Sequence, residues 1–297
     1  MVENKTAVSA PVSKKRKKES MWAQAFKRLM RNGTARFGMI VLLILILLAI
    51  FAPLLTPYTY EEMDLLAINA SPSLKHPFGT DALGRDCLTR IFYGGRYSLG
   101  LGVVSSLIST VAGILLGSLA GYFGGWVDNL IMRLCDIIQS IPGMLLSIII
   151  SATLGVGFGN TIIALAVGGI AGGVRLLRGQ ILSIRKEEYL EAATTVNCSA
   201  GRIMFRHMLP NALSPVIVGT TMGMGNTIML AASLSFIGLG VQPPTPEWGA
   251  MLSLGRDVFR KYPHIMLFPG IFIFLTVLSF NLFGDGLRDA LDPKLKQ

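Results

Sequence analysis

The stretch "FGMIVLLILILLAIFAPLLTPY", residues 37–58, contains no charged side chain, and the charge-free run continues to Tyr60. A helix that crosses the hydrocarbon core of a bilayer needs about 20 apolar residues. The run is long for the core of a signal peptide, and no small-residue cleavage pattern follows it. We therefore expect an uncleaved first transmembrane helix.

The composition of the whole chain also indicates a membrane protein. Of its 297 residues, 52% are hydrophobic and 15% are charged, whereas a soluble domain usually has about 25% charged residues. The three cysteines, Cys87, Cys135 and Cys198, are scattered along the chain. Such spacing suggests neither a disulfide framework nor a zinc site.

Further charge-free runs predict the other spans. They lie between Arg96 and Asp128, Asp136 and Arg175, Arg206 and Glu247, and Lys261 and Asp285. The second run is long enough for two helices, separated by the turn-like "LGVGFGN" at 154–160. The sequence therefore predicts an all-α polytopic membrane fold with six transmembrane helices, near 38–55, 97–120, 129–153, 160–177, 212–238 and 264–283. In the second of these, glycine recurs at Gly113, Gly117, Gly121 and Gly125, which favours close helix packing.

The uneven distribution of lysine and arginine predicts the orientation. Residues 1–36 contain ten of the 27, including the run Lys14–Lys18. With the N-terminus inside, 20 fall on cytoplasmic segments and 7 on the external loops, so both ends are expected in the cytoplasm. Alone, the basic run could indicate nucleic-acid binding. Because an apolar span follows it directly, we expect a membrane-proximal tail and no nucleic-acid partner.

Four regions follow from this topology. They are a basic cytoplasmic tail (1–36), a first helix with an external loop (37–96), a five-helix core that includes a cytoplasmic elbow at 185–210 (97–285), and a cytoplasmic C-terminal tail (286–297).

Groups that could carry catalysis are scarce. No GxxxxGK[ST] phosphate-binding loop occurs in the sequence. His76, His207 and His264 lie apart, near predicted span ends or in a loop, and suggest interfacial residues rather than a metal cluster. We therefore expect neither an enzyme nor a bound metal.

Two charged residues stand out within a predicted span. Arg133 and Asp136 are three residues apart, so one helix face brings them together. A neutralised structural pair, with Arg133 extended towards the cytoplasm, is favoured over a gating role. The scarcity of buried acids argues, weakly, against proton-driven transport.

The fifth span is the most polar and supplies candidates for a translocation path. These are Thr220, Thr221, Met222, Asn226, Met229 and Ser233. Asn226 lies near mid-span, where an unpaired amide is costly. It bonds a neighbouring helix or lines a water-filled path, and the sequence leaves both alternatives open. The methionines suit an adaptable lining or an ordinary bundle core.

The stretch "EEYLEAATTVNCSAGRIMFRHMLPNA", 187–212, interrupts the apolar spans with a charged, helix-forming segment. Residues 187–196 read as a helix. Asn197 can then adopt the left-handed conformation that ends helices, and Ser199 can cap a second helix. Pro210 suits the first turn of span five. The sequence therefore predicts a cytoplasmic helix–turn–helix elbow whose acids and small or apolar residues suit docking into a partner's groove.

This elbow resembles the EAA loop of ABC-importer permeases. Glu191, Ala192, Ala193, Leu209 and Pro210 match the EAA pattern, whereas Asn197 stands where the pattern has glycine. Three further segments resemble signatures of the C-type permease subunit of dipeptide, oligopeptide and nickel importers. They are "HPFGTDALGRDCLTRIFYGGRYSL" (76–99), "SLSFIGLGVQPPTPEWGAML" (233–252) and "FNLFGDGLRDALDP" (280–293). The similarity extends from about residue 28 to the end.

The resemblance implies a multi-pass subunit of a prokaryotic plasma (inner) membrane with several partners. A homologous second permease would complete the path, two cytoplasmic ATPases would bind ATP and Mg and receive the elbows, and an external binding protein would meet residues 57–96 and 241–262. No cofactor is expected on this chain. The residues implied in ATPase coupling are Glu188, Leu190, Glu191, Ala192, Ala193, Asn197, Ser199, Gly201, Leu209 and Pro210.

The substrate is the least determined property. Short peptides are favoured over nickel because the sequence has no metal-binding His or Cys cluster, although a metal could travel chelated. An ion-coupled secondary transporter is the alternative of another class, but it predicts buried acids and an inverted repeat, and neither is evident. A membrane scaffold or sensor without transport is a third possibility.

Overall fold

The computed structural model describes residues 21–291, and within them the chain is helical apart from loops and one isolated bridge between Thr80 and Asp86. The helices are α1 (Met21–Leu29), α2 (Gly33–Ile50), α3 (Ala52–Leu55), α4 (Cys87–Phe123), α5 (Gly125–Ser140), α6 (Gly143–Leu154), α7 (Phe158–Ile184), α8 (Glu188–Thr195), α9 (Ala200–Arg202), α10 (Leu209–Phe236), α11 (Trp248–Gly255) and α12 (His264–Leu291). A π-helical stretch, Ile203–Met208, joins α9 to α10. The predicted all-α membrane fold is confirmed.

Five helices of the described chain are long and apolar enough to cross a membrane, namely α2, α4, α7, α12 and the continuous helix Ala200–Phe236. α5 and α6 are long and apolar enough only as a pair bent by 88°, which makes a sixth span if the pair crosses the membrane as one broken helix. The span predicted near 129–153 is thus divided into two helices, and the sequence did not predict this break. The break lies at Ile141 and Pro142, where ψ is 127° and 132°, because proline has no N–H and disfavours helix at the residue before it.

α4 begins at Cys87, ten residues before the predicted start of the second span. The side chain of Asp86 caps it and accepts a hydrogen bond from the backbone N–H of Thr89 at 2.7 Å. Residues 87–96, which we expected in the external loop, therefore belong to the helix. Arg96 donates from this part of α4 to the carbonyls of Ala49 and Ile50 at 2.7 and 2.8 Å, at the C-terminus of α2.

Glycines allow α4 and α7 to pack closely as parallel neighbours; the sequence predicts the close packing but not which helices meet. A Cβ atom at Gly117 would lie 2.7 Å from the carbonyl oxygen of Val174, and one at Gly113 would lie 2.9 Å from the backbone of Gly173. Only residues without a Cβ permit this approach of two backbones.

The helix directions give the bundle two ends. α10 is antiparallel to α4, and α12 is antiparallel to α10, so α4, α7 and α12 end on one side. Asn32, which caps the start of α2, lies 3.4 Å from Asp289 on that side. Arg185 ties the elbow to the same side by donating to the carbonyl of Tyr122 at 3.3 Å. We call this end the elbow face, and the opposite end, with residues 56–86 and 237–263, the loop face.

Candidate functional site

The first half of the elbow is α8, and it ends as the sequence predicts. Asn197 has φ of 58°, in the left-handed region. The N–H of Cys198 donates to the carbonyl of Ala193 at 3.1 Å, the bond that characterises a helix end with a left-handed residue. The prediction that Asn197 ends this helix is confirmed.

The second half of the elbow is not a separate helix. Ser199 occupies the N-cap position with extended backbone, φ −62° and ψ 145°, but its side chain makes no capping hydrogen bond. From Ala200 the helix continues through the π-helical stretch into α10, where Pro210 lies in the first turn. Because Pro210 has no N–H to donate, the regular α-helical hydrogen-bond pattern is interrupted at this point, next to the π-helical stretch. The second half of the elbow and the fifth span therefore form one continuous helix.

Leu190 contacts its own chain instead of presenting itself to a partner. It is 3% exposed and packs with Leu177 and Ile181 of α7 and with Ile203 and Met208. Our assignment of Leu190 to the exposed docking surface is therefore wrong. It faces inwards because α8 packs on a cluster formed by α7 and the π-helical stretch, and that placement cannot be read from the sequence. Leu190 anchors the elbow to the membrane helices.

The other coupling candidates are mostly accessible. Ala193 and Leu209 are half-buried, and the exposed members are Glu188, Ala192, Asn197, Ser199, Gly201 and Pro210. Glu191 lies in α8, and its side chain is outside the part of the chain that the structure describes. Sequence reasoning missed three exposed large side chains beside them: Tyr189 (44%), Val196 (73%) and Phe205 (63%). Their signal was present, since apolar residues on a charged elbow need a partner to cover them.

Substitutions at Asn197 should separate its backbone role from its side chain. We expect Asn197→Val to destabilise the end of α8 by about 1–2 kcal/mol, because a β-branched residue resists positive φ. Asn197→Gly should be tolerated, since glycine enters this region freely. Hydrogen exchange of residues 188–195 in the solubilised chain measures the difference. Equal exchange rates in the two variants would contradict a backbone role.

The path candidates on α10 do not share one environment. Thr221 is buried and bonds back to the carbonyl of Ile217 at 2.9 Å, and Met222 lies against Gly284 of α12. For these two residues the structure indicates packing rather than a path. Asn226 and Met229 are exposed, and the half-buried Ser233 follows them one turn later on the same face of α10.

Thr220 lines a cavity of about 200 Å³ between α4, α7 and α10. Its hydroxyl lies 2.8 Å from that of Thr110, and the hydroxyls of Ser106 and Thr227 are 3.1 Å apart across the same helix pair. The wall also includes Ser109, Gly169, Gly172, Gly173, Leu176, Val216, Gly219 and Gly223. It is uncharged and rich in hydroxyls. The contributions of α4 and α7 had no signal in the sequence, because they depend on which helices meet.

Arg133 and Asp136 both lie on α5 and form an ion pair, but this pair is not the closest contact of Asp136. Their side chains are 3.7 Å apart, and Arg133 is 83% exposed. Asp136 lies closer to Arg175 of α7, at 2.6 Å, and Asp128 binds Arg178 of α7 through two contacts of 2.5 Å. The predicted pair of Arg133 and Asp136 is present, but sequence reasoning missed that Asp136 is shared with Arg175 of α7. The ion pairs fasten α5 to α7.

A buried polar network occupies the loop face. Asp81 accepts from Arg85 at 2.7 Å and lies 3.5 Å from Arg90, and both arginines are 1% exposed. His76 binds Asp86 at 3.0 Å. His76 and His264 are buried in the loop face, and their position at the membrane interface stays a prediction. Within residues 21–291 no group of three or more His, Cys, Asp or Glu is placed to hold a metal.

The two loops of the loop face are joined through the start of α4. Arg90 donates to the carbonyl of Tyr60 at 2.8 Å and to that of Pro244 at 3.3 Å. The indole of Trp248 donates to the carbonyl of Ile91 at 2.9 Å. Residues 56–86 and 237–263 therefore form one connected platform.

Comparison with known proteins agrees with this architecture. Residues 113–297 match the family described as binding-protein-dependent transport system inner membrane component, and residues 20–72 match the N-terminal TM domain of oligopeptide transport permease C. The dipeptide transport system permease protein DppC of Alkalihalophilus pseudofirmus is 48% identical over 277 residues, 93% of this chain and 91% of that protein. The glutathione transport system permease protein GsiD of Pectobacterium atrosepticum is 44% identical over 287 residues, 96% and 95% of the two chains.

Solved structures support the fold independently. A chain of the inward-facing MetNI methionine ABC transporter aligns with a TM-score of 0.55 at 19% identity, covering 67% of this chain and 95% of that one. An amino acid ABC transporter aligns with a TM-score of 0.51 at 15% identity, covering 69% and 98%. The family resemblance seen in the elbow and the three further segments is confirmed, and the chain belongs to the binding-protein-dependent transport system inner membrane components, the permease subunits of ABC importers.

Proposed function

We propose that this chain is one of two related permease subunits of an ATP-driven importer for short peptides. The observation that carries the proposal is the continuous helix Ala200–Phe236, which joins the exposed elbow to the hydroxyl-lined cavity at Thr220. Twenty residues of helix separate Ala200 from Thr220, about 30 Å. A displacement of the elbow at Ala200 therefore reaches the wall of the cavity through helix alone, and only the turn 196–199 separates α8 from this helix.

In this mechanism the partner ATPases bind the exposed side of α8 and the adjoining turn. Glu188, Ala192 and Val196 offer a mixed acidic and apolar surface, and Leu190 holds α8 against α7. ATP and Mg bind on the ATPases, and their closure moves elbow and α10 together. The elbow transmits force, and this chain performs no chemistry of its own.

The exposed face of α10 and the cavity beside it form this subunit's half of the path. Asn226 lies at mid-span, where lipid offers an amide no hydrogen-bond partner. We therefore propose that its side chain faces either the second permease or the water in the translocation path. The hydroxyls around Thr220, and the glycines whose backbone is not covered by a side chain, suit a peptide backbone, because a peptide backbone both donates and accepts hydrogen bonds. The names of the relatives, a dipeptide and a glutathione permease, favour peptides over a nickel chelate.

The elbow face is the cytoplasmic side in this proposal. It carries the start of α2 and the end of α12, so both termini are cytoplasmic, in agreement with the excess of lysine and arginine there. The loop-face platform then meets the external binding protein. Residues 56–86 and 237–263 move with α4 as one body, which would pass a docking event directly to the helix that lines the cavity.

Purification tests the proposal. The chain, expressed with its companion genes and reconstituted in nanodiscs, should retain a second permease and an ATPase pair in fixed stoichiometry. The peptide-loaded binding protein should stimulate ATP hydrolysis, and the same protein with a nickel chelate should not. If no ATPase is retained, the coupling role is wrong, and stimulation by the chelate alone overturns the peptide assignment.

A matched pair of charge reversals tests the elbow within the same complex. We expect Glu191→Lys to weaken ATPase association by several kcal/mol, as charge mismatches in interfaces do. Glu187→Lys makes the same charge change just before α8 and should have a much smaller effect. If ATP hydrolysis by Glu191→Lys is stimulated normally by the binding protein, α8 is not part of the interface with the ATPases.

A further inference from the structure

A groove on the outside of the bundle lies between α11 and α12, near the loop face. Its volume is about 340 Å³, and its lining is apolar throughout. Four large side chains along it are 39–62% exposed, namely Phe259, Leu267, Ile271 and Phe274. The part of the chain that the structure describes therefore leaves this apolar surface uncovered, and such a surface needs a partner.

The groove lies at the depth of one lipid leaflet. Residues 265–284 of α12 contain no charged side chain, and this length of helix is about 30 Å, the thickness of the hydrocarbon core. The groove follows α12 from Met266 to Phe274, about 12 Å. It therefore covers most of the leaflet at the loop face and ends near the middle of the membrane, where a water-soluble protein does not reach.

Basic side chains lie at the loop-face end of the groove. The connection 256–263 between α11 and α12 carries Arg256, Arg260 and Lys261, which are all exposed, and Phe259 of the same connection belongs to the groove wall. Asp257 is the acid of this connection, and it pairs with Arg256 at 3.3 Å. Within residues 21–291, Arg260 and Lys261 form no ion pair. Because they precede the charge-free part of α12, they lie at the level of the lipid headgroups.

We propose that this groove holds one anionic phospholipid of the leaflet at the loop face. An acyl chain covers the apolar wall, and the headgroup phosphate lies at Arg260 and Lys261. The two chemistries follow each other along α12 in the order in which a phospholipid presents them, charge at the surface and hydrocarbon below it. The external binding protein reaches only the charges. The proposal does not depend on peptide import.

Native mass spectrometry of the purified permease in neutral detergent tests lipid retention. We expect one phosphatidylglycerol to stay bound per copy of this chain, and phosphatidylcholine to be lost. Changing both Arg260 and Lys261 to Gln should weaken phosphatidylglycerol binding at least about tenfold, since each basic residue near an anionic headgroup contributes about fivefold. Lys75→Gln is the matched control. Lys75 is an exposed cation of the loop face outside this connection, so its loss should leave lipid binding unchanged.

Substitutions at Gly270 test the acyl chain separately from the charges. A Cβ atom at Gly270 would meet only Leu252, at 4.0 Å, so Gly270→Ala adds a methyl group without a clash and should keep the lipid. Gly270→Phe places a ring in the groove and should release the lipid as fully as the charge variant does. Excess inorganic phosphate should not displace the lipid from the unmodified chain, because a free phosphate covers no apolar wall. The charge variant alters only exposed side chains, so it tests the site even if Gly270→Phe does not fold.

Full retention of phosphatidylglycerol in the charge variant or in a folded Gly270→Phe would overturn the proposal, as would equal retention of the two lipids or displacement by phosphate. If Gly270→Phe keeps the lipid but loses the second permease, the groove is a protein interface. If the charge variant keeps the lipid but loses stimulation by the binding protein, the connection belongs to that protein's docking site. Lipid retention is measured without ATP or peptide, so its failure and the failure of the proposed transport function are distinguishable.

Discussion

Asp81→Ala is expected to lower the free energy of unfolding by about 3–5 kcal/mol, the range for removing one partner of a buried ion pair. Asp81 is 4% exposed and is the carboxylate between Arg85 and Arg90, each 1% exposed. Its loss leaves two buried guanidinium groups without their counter-charge. It also frees the loop 79–86, because the Asp81 carboxylate accepts from the backbone N–H of Leu83 and Arg85.

The thermal denaturation of the purified complex measures this effect, and Asp64→Ala is its control. Asp64 also pairs with a cation, since Lys75 lies 3.1 Å away and its hydrogen bond lowers the pKa of the Asp64 carboxyl. That pair is on the surface, where solvent screens it, so its loss should leave the denaturation temperature unchanged. If Asp81→Ala behaves like Asp64→Ala, the loop-face network does not stabilise the fold.

A second variant shows whether the cost comes from the stranded charge. Adding Arg85→Met to Asp81→Ala removes one of the two uncompensated guanidinium groups, so the double variant should recover part of the lost stability. Further loss in the double variant would mean that Arg85 stabilises the loop through its packing and not through its charge.

Local chemistry explains which features the sequence could predict. The charge-free runs predict spans because an ionised side chain in lipid is costly, and Asn197 is recognisable because few residues accept positive φ. The kink at Ile141–Pro142 was also signalled by its proline, but a long apolar run outweighed that signal. The ten additional residues of α4 were missed because Asp86, read as a loop residue, is in fact an N-cap.

The features that could not be predicted depend on which elements meet. Arg175 became the closer partner of Asp136 only once α5 and α7 were placed side by side. The hydroxyls of Ser106 and Thr110 became part of the cavity wall because α4 packs on α10. Sequence periodicity identifies one face of a helix but not the neighbour it faces. This is also why Leu190 was assigned to the wrong surface.

Leu190→Ala should therefore detach the elbow, at a cost of about 2–5 kcal/mol, the range for truncating a buried leucine. Leu190 is 3% exposed in a cluster with Leu177, Ile181 and Ile203. α8 has only eight residues, so it is too short to persist as an isolated helix in water. The membrane bundle should remain folded, because the cluster around Trp248 and Phe280 is separate from the elbow.

Two readouts distinguish detachment from loss of the ATPase contact. Hydrogen exchange of residues 188–195 should accelerate in Leu190→Ala, by at least about thirtyfold for a loss of 2 kcal/mol, and ATPase retention should fall with it. Leu190→Met conserves the volume and should cost less than about 1.5 kcal/mol. Val196→Asp changes a residue that is 73% exposed, so it should reduce ATPase retention while the exchange of α8 stays slow. Were Leu190→Ala to exchange slowly and retain its ATPases, the elbow would be held by contacts other than this anchor.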